Sequence, residues 1–260
     1  MEHKLSKLLS RWLDGNSNIF FFWKGRVALY AILKAAGIKA GDEVVLPGFT
    51  CVVVANAIKY LGAIPVYVDI EKATLNASFE SLKNAVTPKT RAILSQNTFG
   101  LSTDTDKIAA FGRENGILTV EDCTHGFGGT FKGRANGTWC DASFFSTQWN
   151  KPFSTGIGGF ALINDPALNS RMKQFYATLR RPAGRQNMML SALLFFRKKI
   201  LTPGNYWRLR RLYRFLSRFN LVVGSSEGKE LQGTAMPVNY LSAMGRRQLK
   251  EAASAVKNLD

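Results

Sequence analysis

Between residues 26 and 163 the apolar positions switch repeatedly between two periods, and each switch is marked by glycine, proline or a short polar cluster. Residues 27–36 carry helical spacing closed by Gly37, and GDEVVLP at 41–47 reads as a turn followed by a short buried strand. Helical spacing returns over 51–61 and stops at Gly62, after which PVYVD at 65–69 is a strand. A short helix over 79–86 precedes the strand RAILS at 91–95. A helix over 106–115, ended by Gly116, precedes the strand ILTVE at 117–121. SFFS at 143–146 and GFALI at 159–163 are the last two strands before Asn164 and Asp165 turn the chain. Strands alternating with helices at these intervals predict βαβ units and a mostly parallel central sheet sandwiched by helices. Such a sheet binds its ligand at the carboxyl ends of its strands.

The two ends of the chain read differently. Leu5, Leu8, Leu9 and Trp12 have helical spacing, with Gly15 as the stop. The same stretch lacks the continuous apolar run of a signal peptide. Beyond Pro166 the character changes: from 166 to 226 there are 13 Lys or Arg and no Asp or Glu. The expected division is therefore an α/β domain over 1–165 and a basic helical segment over 166–260, closed by a helix over 241–259. The apolar run at 188–196 falls short of the roughly 20 residues needed to span a bilayer. Within 206–219, Leu209, Leu212, Tyr213 and Leu216 share one face of a helix, while Arg208, Arg210, Arg211, Arg214 and Arg218 take the rest of its circumference. A helix docked on the domain with a solvated basic face is the first reading, and contact with an anionic membrane surface the second. No known reader motif is present, so no nucleic-acid partner is expected.

Composition narrows the class further. At 260 residues with 46% hydrophobic and 20% charged positions, the chain can bury a sizeable core without disulfides or a structural metal. Its formal net charge of +17 favours anionic partners. Cys51, Cys123 and Cys140 show no CxxC pairing, and His3 and His125 are the only histidines, so no metal site is expected. The cysteine usage reads as reduced and cytoplasmic, with peripheral attachment to the inner membrane as the variant in which the basic segment meets lipid.

The sharpest chemical feature is FSTQWNK at 145–151, a strand entering a loop that ends in a lysine. It follows VEDCTH at 120–125, where a strand ends in two acids. Pyridoxal phosphate requires a lysine for its aldehyde, an acid for its pyridinium nitrogen and donors for its phosphate. A surface lysine and a turn-forming aspartate are the bland alternatives.

Read in order, GDEVVLPGFTCVVVANAIKYLGAIPVYVDI (41–70), TPKTRAI (87–93), VEDCTH, FSTQWNK and GIGG (156–159) carry a resemblance. Together they resemble the DegT/DnrJ/EryC1/StrS family of sugar aminotransferases over about residues 22–165, with a weaker echo in AMGRRQL at 243–249. The resemblance implies the large domain of the fold-type-I pyridoxal-phosphate transferases, with the C-terminal small domain truncated, and a homodimer. It assigns Lys151 to the cofactor aldehyde, Ser146 to its phosphate, Asp122 to the pyridine nitrogen and His125 to the neighbourhood of the ring oxygen, against a packed histidine. Relatives with histidine in place of this lysine are dehydratases, so Lys151 implies transamination.

The chain also departs from the family. Lys24, Gly25 and Arg26 stand where relatives carry Ser-Gly-Thr. The backbone N–H groups around Gly25 and the guanidinium of Arg26 then become the expected phosphate ligands, against an exposed Arg26. Cys51 replaces an aromatic that stacks on the ring, and reads as a small buried residue. Ile157 replaces an acid. Asn97 is a candidate for the ring oxygen or a turn former. A desolvated site near cations such as Lys24 and Arg26 is expected to lower the pKa of Lys151. The resulting function is transfer of an amino group, with glutamate as the expected donor, to a nucleotide-linked keto-sugar in polysaccharide biosynthesis. The alternative is a catalytically weak relative that binds a membrane or a partner through its basic helices.

Overall fold

The computed structural model describes residues 1–149, 151–218, 236, 241–257 and 259. Its frame is a seven-stranded sheet of β1 (Ile19–Phe22), β2 (Glu43–Pro47), β3 (Ile64–Val68), β4 (Thr90–Gln96), β5 (Leu118–Asp122), β8 (Ala142–Ser146) and β9 (Gly159–Ile163). The order across the sheet is β1-β9-β8-β5-β4-β2-β3. Only β9 runs against the others, so the sheet is mostly parallel. A two-stranded ribbon, β6 (Thr130–Phe131) and β7 (Arg134–Ala135), lies between β5 and β8 in sequence.

Strand alternation sorts side chains into layers on the two faces of the sheet. Phe20, Phe22, Leu46, Leu94, Val120, Phe144 and Ile163 join α2 (Gly25–Ala35), α3 (Val52–Lys59), α6 (Pro166–Ala177) and α7 (Gly184–Lys199) in the largest core. Their strand neighbours Ile19, Phe21, Phe145, Phe160 and Leu162 point the other way, against α1 (Glu2–Ser10) and α9 (Arg246–Lys257). A third cluster sets Val45 and Ile93 against Leu82 of α4 (Phe79–Asn84) and Ile108 of α5 (Thr105–Asn115). Gly116 closes α5 in the left-handed region at φ 64°, where a residue without Cβ is unstrained.

The predicted α/β alternation holds to within a residue or two at most boundaries. β1 was not predicted, because IFFF is buried on both faces and shows neither period. The helix expected over 241–259 begins only at Arg246. The preceding residues are extended and cover the free edge of β1: Ala243 bridges Phe22, Trp23 N–H donates to Ser242 O and Met244 N–H to Phe21 O. An uncovered edge would offer unpaired backbone groups. Basic helix α8 (Tyr206–Arg218) follows α7 where its two-faced pattern predicts it. Among the described residues no helix is long and apolar enough to cross a membrane.

Leu249 of α9 is buried in the same cluster as Leu5 and Leu9 of α1. Leu249→Ala is expected to cost about 2–5 kcal/mol, read as a lowered denaturation midpoint at unchanged m-value.

Candidate active site

Adjacent parallel strands β5 and β8 end side by side, with Asp122 in register with Phe144. The alternation that divides the core also divides the two acids of β5. Glu121 turns into the interior, where Asn97 donates from Nδ2 to its Oε1 at 2.8 Å and burial raises its pKa. Asp122 turns towards a small cavity of about 90 Å³ at the carboxyl end of the sheet. Lys24, Gly25, Arg26, Cys51, Ser146 and Lys151 line the same cavity.

One wall is the N-terminus of α2, held at extreme proximity to the sheet. A Cβ placed on Gly25 would lie 3.0 Å from Ser146 Cβ and 3.1 Å from Phe145 O, and one on Gly159 would lie 2.4 Å from Gly25 Cα. The neighbouring atoms are backbone or Cβ and have no room to give. Glycine at both positions therefore lets the first turn of α2 abut the ends of β8 and β9, with the N-terminus of the helix beside Ser146. Lys24 and Arg26 flank this turn with only 4% and 7% of their surface exposed. Arg26 is thus a buried residue of the cavity wall, and the exposed alternative is overturned.

The opposite wall is the loop from β8 to β9. It is pinned by Thr147 N–H to Gly158 O at 3.0 Å, Thr155 N–H to Thr147 O at 2.9 Å, and a hydrogen bond of 2.6 Å between the Thr147 and Thr155 hydroxyls. The Trp149 ring packs on Gly156, where a Cβ would come within 2.6 Å of it. Lys151 is therefore carried on a closed loop, with its N–H donating to Gln148 O. Gln248 of α9 ties the two walls together, donating from Nε2 to Ile157 O at 2.6 Å and to Trp23 O at 3.2 Å.

The charges in the cavity are perturbed by burial. Desolvation lowers the pKa of Lys151, against the opposing pull of the Asp122 carboxylate and Cys51. Burial, not nearby Lys24 and Arg26, is thus the cause. Desolvation likewise raises the pKa of Asp122, opposed by hydrogen bonds from Thr124 and by the Lys151 charge. Asp122 Oδ1 accepts from Thr124 N–H at 2.9 Å, so it serves the turn as well as facing the cavity. His125 is half-buried, its pKa lowered by burial first and by the Lys151 charge second, and its ring stacks on Phe99 at 5.8 Å.

Eight of the residues singled out from sequence meet here: Lys24, Gly25, Arg26, Asp122, Ser146, Lys151 and Ile157, with Cys51 among them as an exposed rather than a buried residue. Asn97 is not part of the lining. Its amide nitrogen is spent on Glu121 and Cys123 behind the strand, and its N–H donates to Asp122 O. His125 also lies outside the lining, beside it. Sequence reading missed Gln148 and Thr124 in the lining and Gln248 behind it. Gln148 stands inside FSTQWNK and was within reach. Gln248 acts across more than 90 residues and had no local signal.

Two buried cations, a helix N-terminus and a serine hydroxyl on one side suit a dianionic phosphate, while Lys151 and Asp122 suit an aldehyde and a basic ring nitrogen. The donor set therefore fits pyridoxal phosphate.

Known proteins resemble this chain. A sequence profile of the DegT/DnrJ/EryC1/StrS aminotransferase family matches residues 15–200. GDP-perosamine synthase of Escherichia coli O157:H7 is 38% identical over 151 residues, covering 58% of this chain and 42% of that protein. UDP-2-acetamido-2-deoxy-3-oxo-D-glucuronate aminotransferase of Pseudomonas aeruginosa is 38% identical over 154 residues, again 58% and 42%. The crystal structure of NtdA from Bacillus subtilis with bound cofactor PMP is 27% identical, with a TM-score of 0.61 over 67% of this chain and 39% of that one. The chain thus spans less than half the length of these relatives. Its fold is that of the fold-type-I aminotransferases, and the family's cofactor is pyridoxal phosphate.

Gly25→Ala is expected to cost roughly 1–3 kcal/mol through the clash with Ser146 and Phe145, measured by denaturant titration. Gln248→Leu leaves two buried carbonyls without their donor. A loss of about 1–3 kcal/mol is expected, with faster proteolysis of the loop carrying Lys151.

Proposed function

The chain belongs to the DegT/DnrJ/EryC1/StrS aminotransferase family, and within it we propose a pyridoxal-phosphate-dependent transfer of an amino group from an amino acid to a nucleotide-linked keto-sugar. The observation that carries this reading is the meeting of Lys151 and Asp122, both desolvated, with the buried cations of α2 in one cavity.

Bound in the cavity, pyridoxal phosphate supplies an aldehyde and an electron-accepting ring. The N–H groups opening α2, with Lys24, Arg26 and Ser146, would hold its phosphate. Asp122 would face its ring nitrogen: a carboxylate buried this deeply is stabilised by a cation opposite it, and a protonated ring nitrogen is one. His125, its imidazole biased to the neutral form, is assigned to the neighbourhood of the ring oxygen. Lys151 Nζ would hold the aldehyde carbon and, when released, carry the proton that leaves the donor's α-carbon. Burial prepares it for this, because an amine whose protonated form is disfavoured is a better nucleophile and base near neutral pH. The ketone gains the amine as the donor becomes a 2-oxo acid, so the exchange needs no oxidant or reductant.

The names of both relatives carry a nucleoside diphosphate, and one carries a 3-oxo group, which supports a nucleotide-linked keto-sugar as acceptor. Glutamate is the proposed donor. We also assign a homodimer, supported by exposed Phe49 and Val52, close in sequence to Cys51 of the lining, and by exposed Phe99, which packs on Phe49 and His125. A second chain seated there would cover them.

Incubation with pyridoxal phosphate followed by borohydride is expected to label Lys151 alone, and Lys151→Ala to abolish the label with circular dichroism unchanged. A label on another lysine would overturn the assignment. Asp122→Asn is expected to retain the label yet lower turnover at least a hundredfold, since an amide cannot keep the ring nitrogen protonated. Turnover at the parent rate would assign the nitrogen to another residue.

A further inference from the structure

The segment from 166 to 226 carries +13 of the chain's net +17, and the cavity chemistry uses none of it. It is built onto the body from one side. Leu190 and Leu194 of α7 are buried in the main core, and the Arg197 guanidinium lies over the Trp149 ring at 4.1 Å. Both α7 and α8 also keep a solvent-exposed face. Fourteen large apolar side chains are exposed among the described residues, and half of them fall between 188 and 215: Met188, Phe195, Ile200, Tyr206, Trp207, Leu212 and Phe215. Exposed apolar side chains and a run of cations without an acid in sequence are therefore concentrated on the same two helices.

On α8, Leu209, Leu212, Tyr213 and Leu216 occupy one arc. Arg210 and Arg214 border it on one side and Arg208 on the other, with Arg211 opposite. Trp207, 65% exposed, lies among the arginines, with the Arg210 guanidinium 5.2 Å from its ring. Leu209, Tyr213 and Leu216 are half-buried, so the solvent face of α8 carries Tyr206, Trp207, Leu212 and Phe215 interleaved with Arg208, Arg211 and Arg214. Exposed aromatic and aliphatic side chains set between arginines suit a lipid interface: the apolar groups enter the acyl boundary while the arginines beside them reach anionic headgroups.

We propose that α7 and α8 form a docking surface for an anionic membrane, holding the protein at the lipid interface with its cavity in water. The charge selects this occupant. A second copy would bring a matching cationic face, nine Lys or Arg on α7 and α8, against this one, so self-association through it is opposed. A polynucleotide would satisfy the arginines but leave exposed Met188, Phe195, Leu212 and Phe215 in water. Anionic lipid satisfies both. The surface is independent of the cavity's chemistry, so a failed cofactor assignment would leave it standing.

The test is sedimentation of the 260-residue protein with vesicles of neutral phosphatidylcholine, and with vesicles in which about a third of the lipid is phosphatidylglycerol. Binding to the anionic vesicles is expected to be at least about tenfold tighter and to weaken as salt rises. Arg208→Gln/Arg211→Gln should reduce that preference several-fold. Trp207→Ser/Leu212→Ser should leave only weak binding that high salt abolishes. Circular dichroism of each variant checks that the fold is retained. Equal partition to both vesicle types, or variants that bind as the parent does, would overturn the proposal. So would retention on single-stranded DNA with no vesicle binding, or self-association that Trp207→Ser/Leu212→Ser abolishes.

Discussion

The site depends on how closely the first turn of α2 can approach the ends of β8 and β9. At Gly25 and Gly159 the contact is backbone against backbone, with no space for a Cβ. That approach brings Lys24 and Arg26 under cover at the carboxyl ends of the strands, and sets the N-terminus of a helix against the same space. A helix held far enough out to admit water would return both cations to solvent, where neither would bind an anion strongly. The glycines thus act on electrostatics through packing.

Burial also sets the chemistry of the two groups that face each other across the cavity. Taken from water, a carboxylate and an ammonium each lose solvation and move towards their neutral forms, while their mutual attraction opposes the shift. Both Asp122 and Lys151 show desolvation as the leading effect. The same strand disposes of a second acid in the opposite way. Glu121, one residue earlier, points to the other face, is raised by burial and is held by Asn97. One β-strand therefore presents one acid to the ligand and uses its neighbour to brace the turn behind it.

The far end of the chain completes what the βαβ units begin. Residues 242–244 cover the edge of β1, and α9 packs on α1. Gln248 then reaches from that helix to Trp23 and Ile157, one residue from Lys24 and from Gly158 in the cavity lining. The cavity walls are held by an element more than 90 residues away in sequence. Of the intervening basic helices, α7 anchors in the main core through Leu190 and Leu194, and both helices keep exposed apolar and cationic side chains on their solvent faces.

The sequence by itself determined the order of helices and strands, because their two periods and their glycine stops are local properties. Residues 159–163 form the predicted strand without a shift of boundary, and the two-faced pattern of 206–219 becomes α8. It also determined which residue types were available for chemistry, since FSTQWNK and VEDCTH each sit at a strand end, where an α/β sheet keeps its ligand. The tertiary structure alone decided which of those residues meet. Asn97 and Asp122 both end strands, yet one donates to Glu121 inside the fold while the other faces the cavity. Cys51, expected to be buried, is exposed, while Arg26 is buried as a ligand in the cavity wall would be, because burial is set by elements packed from elsewhere in the chain. β1 escaped notice for the same reason: four apolar residues in a row carry no period, and only pairing with β9 makes them a strand. Periodicity is written along the chain, whereas proximity is fixed by which surfaces can approach without a Cβ between them.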